Sequence, residues 1–168
     1  MQRQNTGAAL SLKDRMARAL IGHVQPTHFI TLSLCQARMI VDERGFGHML
    51  KGDDTIYQKV HEGFMRSLSK RFASVSQWRG QNPKPILPSA CVIEGGSNGQ
   101  RYHLHLIVAK PKHVSDLRFR MAVCSVTEGN PWIMKGHYSI DNQSLSDDRA
   151  AINAAYYSVK RGVDRICL

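Results

Sequence analysis

The chain has no paired-cysteine motif: Cys35, Cys91, Cys124 and Cys167 lie far apart and none belongs to a CxxC pair. That spacing argues against a zinc cluster or dithiol redox centre and suits scattered buried thiols in a reducing compartment. No stretch approaches the ~20 consecutive apolar residues needed to cross a bilayer, and residues 1–14 carry no apolar core of signal-peptide length. The expectation is therefore a cytoplasmic protein with no membrane partner. Internal repeats, low-complexity tracts and a P-loop are also missing. Acidic residues are in deficit, 13 against 23 Lys and Arg, for a formal charge of +10. Such a balance points to a polyanionic partner such as nucleic acid. A length of 168 residues suits one domain with a sizeable core.

What is present is an ordered run of short elements. Residues 8–21 can form an amphipathic helix with Leu12, Met16, Ala19 and Leu20 on one side, the centre of an N-terminal arm over 1–26. From Thr27 to Leu34 the residues Ile30, Leu32 and Leu34 alternate with Phe29, Thr31 and Ser33, the period of a strand. Residues 39–52, with three glycines among charges, read as an excursion. Asp53 or Asp54 then caps a helix to about Phe72, whose stripe is Ile56, Val60, Phe64 and Leu68. A proline-bearing stretch from Ser76 to Pro88 is expected to be extended loop. Ser115 can cap a further helix through Leu117, Met121 and Cys124, broken at Asn130-Pro131, and Trp132 to Ile140 reads as a strand. Ser146 or Asp147 caps a last helix to about Arg161, with Gly162 as its stop. The order strand, helix, two-stranded hairpin, helix, strand, helix predicts an α+β split βαβ, ferredoxin-like or RRM-like, with a central antiparallel sheet and an additional C-terminal helix.

The hairpin concentrates the chemistry. A two-residue turn on Asn98-Gly99 pairs 95 with 102 and Glu94 with His103. Side chains alternate along a strand, so His103 and His105 share a face with Glu94 opposite, while Ile93, Leu104 and Leu106 point to the other face. An HxH pair alone is a weak signal, since most such pairs are ordinary polar strand positions; two imidazoles and a carboxylate on rigid strands are a stronger one. In the last helix, Ile152, Ala155, Tyr156 and Val159 form an apolar stripe expected to dock on the sheet, which makes Tyr156 structural. Tyr157 and Lys160, at i and i+3 on the adjacent polar face, can converge on one ligand. His28, His48, His61, His113 and His137 have no comparable neighbours and read as ordinary surface or packed histidines.

Together, the strand Thr27 to Leu34, the His103-Leu104-His105 motif preceded by a glutamate, and Tyr157-Ser158-Val159-Lys160 in a C-terminal helix resemble the three motifs of HUH endonucleases. Their order is similar to that of the Rep branch, which nicks DNA for rolling-circle replication of plasmids and phages. The resemblance spans residues 27 to 162 and implies an endonuclease domain over 27–168. It implies a divalent cation, Mg2+ or Mn2+, held by Glu94, His103 and His105, with Tyr157 as nucleophile and Lys160 as assisting cation. The adjacent Tyr156-Tyr157 pair departs from the separated tyrosines of two-tyrosine members, which points to one nucleophile with Tyr156 as the alternative. The length leaves no room for the helicase domain some members carry, so a separate helicase partner is expected, or the chain is a fragment.

The implied reaction is attack of the tyrosine on a DNA phosphodiester, giving a 5′-phosphotyrosyl link and a free 3′-OH that can later reseal the strand. The implied substrate is single-stranded DNA or an origin hairpin. Arg101, Lys110, Lys135 and Arg161 are the leading phosphate contacts, with Arg38, Arg44 and Lys51 among further candidates. A relaxase or single-tyrosine transposase would use the same chemistry, whereas a non-catalytic RRM-like module would use these residues only to bind.

Overall fold

The structure, a computed structural model, describes residues 10–74, 87–96, 100–136, 139–160 and 166–167. Among them are four helices, α1 (Leu12–Val24), α2 (Asp54–Lys70), α3 (Asp116–Gly129) and α4 (Asp148–Val159). The strands are β1 (His28–Ser33), β2 (Ala37–Val41), β3 (Gly47–Lys51), β4 (Ser89–Glu94), β5 (His103–Val108), β6 (Ile140–Ser144) and β7 (Ile166–Cys167). Five strands form an antiparallel sheet in the order β6-β1-β5-β4-β7, and β2 and β3 form a separate two-stranded ribbon. Leaving aside α1, α4, β7 and the ribbon, the chain order β1-α2-β4-β5-α3-β6 laid out as β6-β1-β5-β4 is the split βαβ arrangement of a ferredoxin-like, RRM-like α+β fold. No helix among the described residues is long and apolar enough to cross a membrane.

Both faces of the sheet are covered. On one, Ile30, Leu32, Cys91, Ile93, Leu104, Leu106 and Val108 pack against Val60, Phe64 and Leu68 of α2 and Phe119, Val123 and Val126 of α3. The other carries a smaller core in which Ala90, Ile107 and Phe29 meet Ala17, Leu20 and Val24 of α1 and Ala154, Ala155 and Val159 of α4. The expected stripe of α2 is buried at Val60, Phe64 and Leu68, and Asp53 caps it through the Ile56 N–H.

Several expectations are corrected. The first helix runs over 12–24 rather than 8–21, because Ser11 and Asp14 form a reciprocal capping box at its start and Gln25 turns left-handed before Pro26 at its end. It is packed into the second core through Ala17, Leu20 and Val24. Residues 39–52, expected as an irregular excursion, lie largely within the β2–β3 ribbon. β3 is exposed throughout and β2 is no more than half-buried, at Ala37, Arg38 and Ile40, so no strong burial alternation marked them. The strand expected over Trp132 to Ile140 lies instead at Ile140–Ser144, with Ile133 making only a single bridge to Leu34. Gly136, at φ +117, breaks the extended run, and the polar sequence of this edge strand hid it. In α3 the buried residues are Phe119, Val123, Val126 and Thr127, while Leu117 and Met121 are exposed. The loop expected over Ser76 to Pro88 and the Gly162 stop fall largely or wholly outside the described residues.

Candidate active site

The register expected from Asn98-Gly99 is the one observed along the paired strands: Glu94 pairs with His103, and each pairing down to Ser89 with Val108 follows. The turn residues 97–99 themselves lie outside the described residues. Gly95, at φ +113, ends the strand after Glu94, and a Cβ there would sit 2.2 Å from the Arg101 carbonyl oxygen, so only glycine allows this close approach.

Although Glu94 pairs with His103 along the backbone, its side chain reaches diagonally to His105, with Oε2 2.7 Å from Nε2. The other ring nitrogen, Nδ1, lies 3.1 Å from Thr31 Oγ1, which the β1–β5 register places directly across from His105. A carboxylate only accepts, so Nε2 carries the proton and Nδ1 accepts from the Thr31 hydroxyl. Burial lowers the His105 pKa below the ordinary histidine value, with Glu94 opposing that shift. The ring is therefore neutral and donates to Glu94. Phe29, on the same face, stacks against the His105 ring at 5.8 Å between centroids.

The last helix brings Tyr157 onto this pair. Its hydroxyl donates to Glu94 Oε2 at 3.3 Å, and its ring stands edge-on to His105 at 4.9 Å and to Phe29 at 5.7 Å. Lys160 Nζ lies 3.4 Å from Glu94 Oε1 and 3.4 Å from the centre of the Tyr157 ring. Glu94 thus receives His105, Tyr157 and Lys160 together, and it is 13 % exposed while Tyr157 is 40 % exposed. A phenol, its proton acceptor and a cation meet at one mouth of the sheet, an arrangement able to deliver a phenolic nucleophile to a ligand arriving from solvent.

Tyr156 does not dock on the sheet as expected. Small residues, Ala151, Ala154 and Ala155 with Val159, allow α4 to lie close to the strands, and the bulkier Tyr156 is left on the flank at 37 % exposure. There its hydroxyl donates to Asp14 of α1, a bond that raises the tyrosine pKa, while the aspartate is held low first by Ser11 and then by this tyrosine. Lys13 of the same helix donates to the Lys160 carbonyl at 3.2 Å. The two tyrosines therefore point to different partners, and Tyr157 faces Glu94.

His103 shares the face, its ring nearly parallel to that of His105 at 6.0 Å. Among the described residues, no group of three or more His, Cys, Asp and Glu is placed to hold a metal ion. The donor types suit a divalent cation, but the Glu94–His105 pair has a proton between its atoms, which a cation would have to displace.

The expected DNA contacts are dispersed. Arg101 is exposed beside the entry to β5. Lys110 lies beyond the opposite end of that strand, bonded to the Val114 carbonyl and 3.4 Å from Asp116. Lys135 spends its ammonium on the carbonyls of Thr127, Glu128 and Asn130 at 2.6, 2.8 and 2.9 Å, closing the C-terminus of α3. Arg161 lies outside the described residues. Thr31, Phe29 and Asp14 were not recognised from sequence; alternation put the first two on one face of β1, but nothing in sequence fixed how β1 registers with β5. The chain matches no protein-family model, no curated protein and no solved structure.

Proposed function

We infer that this protein nicks and rejoins single-stranded DNA through a covalent tyrosine intermediate, as HUH endonucleases of the Rep type do in rolling-circle replication. The observation that carries this reading is the Tyr157 hydroxyl aimed at Glu94 Oε2 beside His105 and Lys160. In the first step the Tyr157 oxygen attacks phosphorus and its proton passes to Glu94. The P–O bond to the 3′ oxygen breaks, and the departing oxygen takes a proton from water, leaving a 3′-OH and a 5′-phosphotyrosine. In the reverse step a 3′-OH attacks the same phosphorus and gives its proton to water, the P–O bond to tyrosine breaks, and the tyrosine oxygen recovers the proton from Glu94. Neither step needs a nucleotide, because the phosphotyrosine conserves the energy of the diester.

Lys160 offsets negative charge at Glu94 and the incoming phosphate, and Thr31 fixes the His105 tautomer that holds Glu94. A divalent cation, Mg2+ or Mn2+, would be held by Glu94, His103 and His105, and when bound supplies Lewis-acid polarisation of a phosphate oxygen.

The test is covalent capture from a randomised single-stranded DNA pool with Mg2+ or Mn2+, read as a DNA-protein band on a denaturing gel. The expected result is a band in wild type and Tyr156→Phe, and none in Tyr157→Phe. The opposite tyrosine pattern, or no band at all, overturns the reading. A relaxase or transposase would give the same band and is distinguished by the sequences captured. The competing reading is a non-catalytic RRM-like binder, which the split βαβ sheet also suits. It predicts retained DNA without any covalent band.

A further inference from the structure

The β2–β3 ribbon has a fixed root and an apolar arm. At the root, the Leu34 N–H donates to the Tyr102 carbonyl at 2.9 Å, one residue before His103, and the Cys35 N–H donates to Trp132 at 2.9 Å. Tyr57 Oη donates to the Cys35 carbonyl at 2.9 Å, and the Gly52 N–H donates to Gln36 at 2.8 Å. Gly52 is required here, since a Cβ would lie 2.0 Å from that tyrosine hydroxyl. The ribbon therefore leaves the sheet at the same end as His103 and Glu94.

The pairings Met39 with Met49 and Val41 with Gly47 put Met39, Val41 and Met49 on one face. These side chains are 60, 68 and 59 % exposed, and Phe46 at the turn is 70 % exposed. On the other face Arg38 lies over the Trp132 ring at 5.6 Å, and Leu50 lines an open pocket with Ile56 and Trp132. Asp42 Oδ1 accepts the N–H groups of Arg44 and Phe46 at 2.9 Å each, which commits its carboxylate to shaping the turn. Large apolar side chains exposed together on a firmly rooted ribbon are uncommon without a partner.

We propose that the β2–β3 ribbon is a finger for single-stranded nucleic acid, in which Phe46, Met39 and Met49 stack on bases while Arg44 and Lys51 meet the phosphates. The partner is chosen by charge and by place. The chain carries +10, the ribbon's Arg38, Arg44 and Lys51 outnumber its Asp42 and Glu43, and its root adjoins the strand entry to His103. Unpaired bases offer flat apolar faces to aromatic and thioether side chains and bring the negative charge that the basic residues balance. The proposal rests on the DNA-nicking reading for what the finger feeds, yet binding and nicking are read separately.

The experiment measures anisotropy of a fluorescein-labelled single-stranded 20-mer of mixed sequence with full-length protein. Phe46→Ala and the double variant Met39→Ser/Met49→Ser are compared with wild type, and circular dichroism confirms the fold. Phe46→Ala is expected to weaken binding about tenfold or more with the salt slope unchanged, whereas Arg44→Gln lowers the slope. Wild type that binds, with Phe46→Ala binding equally well, overturns the finger and leaves nicking untouched. A dimer that Phe46→Ala converts to monomer without loss of DNA affinity overturns it too, assigning the face to a second copy. Tenfold weakening in a protein that forms no covalent band supports the finger and removes the nicking.

Discussion

The two ends of the central sheet each bury a histidine beside hydroxyl and carboxylate groups, with different outcomes. At one end, His105 holds Glu94, and Glu94 is also reached by Tyr157 and Lys160 at the surface. At the other, His28 is 1 % exposed and packs on Phe119 at 4.5 Å, with Nδ1 at 3.1 Å from Thr27 Oγ1 and Nε2 at 3.4 Å from Ser144 Oγ. Ser144 donates onward to Asp116 at 2.9 Å, so the carboxylate meets the serine and not the imidazole. Serine, histidine and aspartate are all present, yet the order is wrong for activating the hydroxyl and the ring is sealed. That cluster fastens β1, β6 and α3 together. Residue types alone do not distinguish the two ends; the distinction lies in which group the carboxylate touches and whether a reactive atom reaches solvent.

Removing one group at each end should separate their roles most strongly. Glu94→Gln is expected to slow covalent adduct formation by roughly 10²- to 10⁴-fold, the usual worth of a positioned proton acceptor, with little change in DNA affinity. His28→Ala should leave the adduct rate of the folded protein unchanged and lower stability by about 2–3 kcal/mol, because it empties a well-packed site. Loss of nicking in folded His28→Ala would place both ends in one machine.

A second comparison is by acid. Burial lowers the pKa of His28 and of His105, and that of His61 on α2 is pushed down to about 4. Below a pH of about 6.5 the unfolded chain takes up protons that these folded sites refuse. Their contribution is therefore fully present above that pH and is lost as pH falls towards the folded values. For His61 alone the loss is about 3 kcal/mol by pH 4. Urea unfolding between pH 7 and 4 should show this slope, and His61→Leu should flatten it. An unchanged slope in that variant would assign the acid sensitivity to the sheet ends. The smallest effect is expected from Tyr156→Phe, which loses only the bond to Asp14: a slight drop in thermal midpoint and an adduct yield near that of wild type.

Much of this was legible in the sequence where burial or turn chemistry left a pattern. Asn98-Gly99 gave the β4–β5 register, Asp53, Ser115 and Asp147 gave helix starts, and Ile30, Leu32 and Leu34 gave a core face. The ribbon was invisible because neither of its strands buries a regular face, and β6 because its residues are polar on an edge. Tyr156 was misplaced because helical periodicity ranks side chains by polarity, whereas the close approach of α4 selects by size and keeps alanine against the sheet. The diagonal reach of Glu94 to His105, and the part played by Thr31, depend on long-range strand register that a local reading does not contain.

The bonds from Lys13 and Asp14 to the last turns of α4 couple segments 142 and more residues apart in the chain. During synthesis α1 emerges long before its partner, and the second core stays open until α4 leaves the ribosome. A nascent chain stopped short of Tyr157 would already have β1, β4 and β5 available with His103, His105 and Glu94, but no phenol to meet that carboxylate. Assembly of the Tyr157–Glu94 contact thus coincides with closure of the second core.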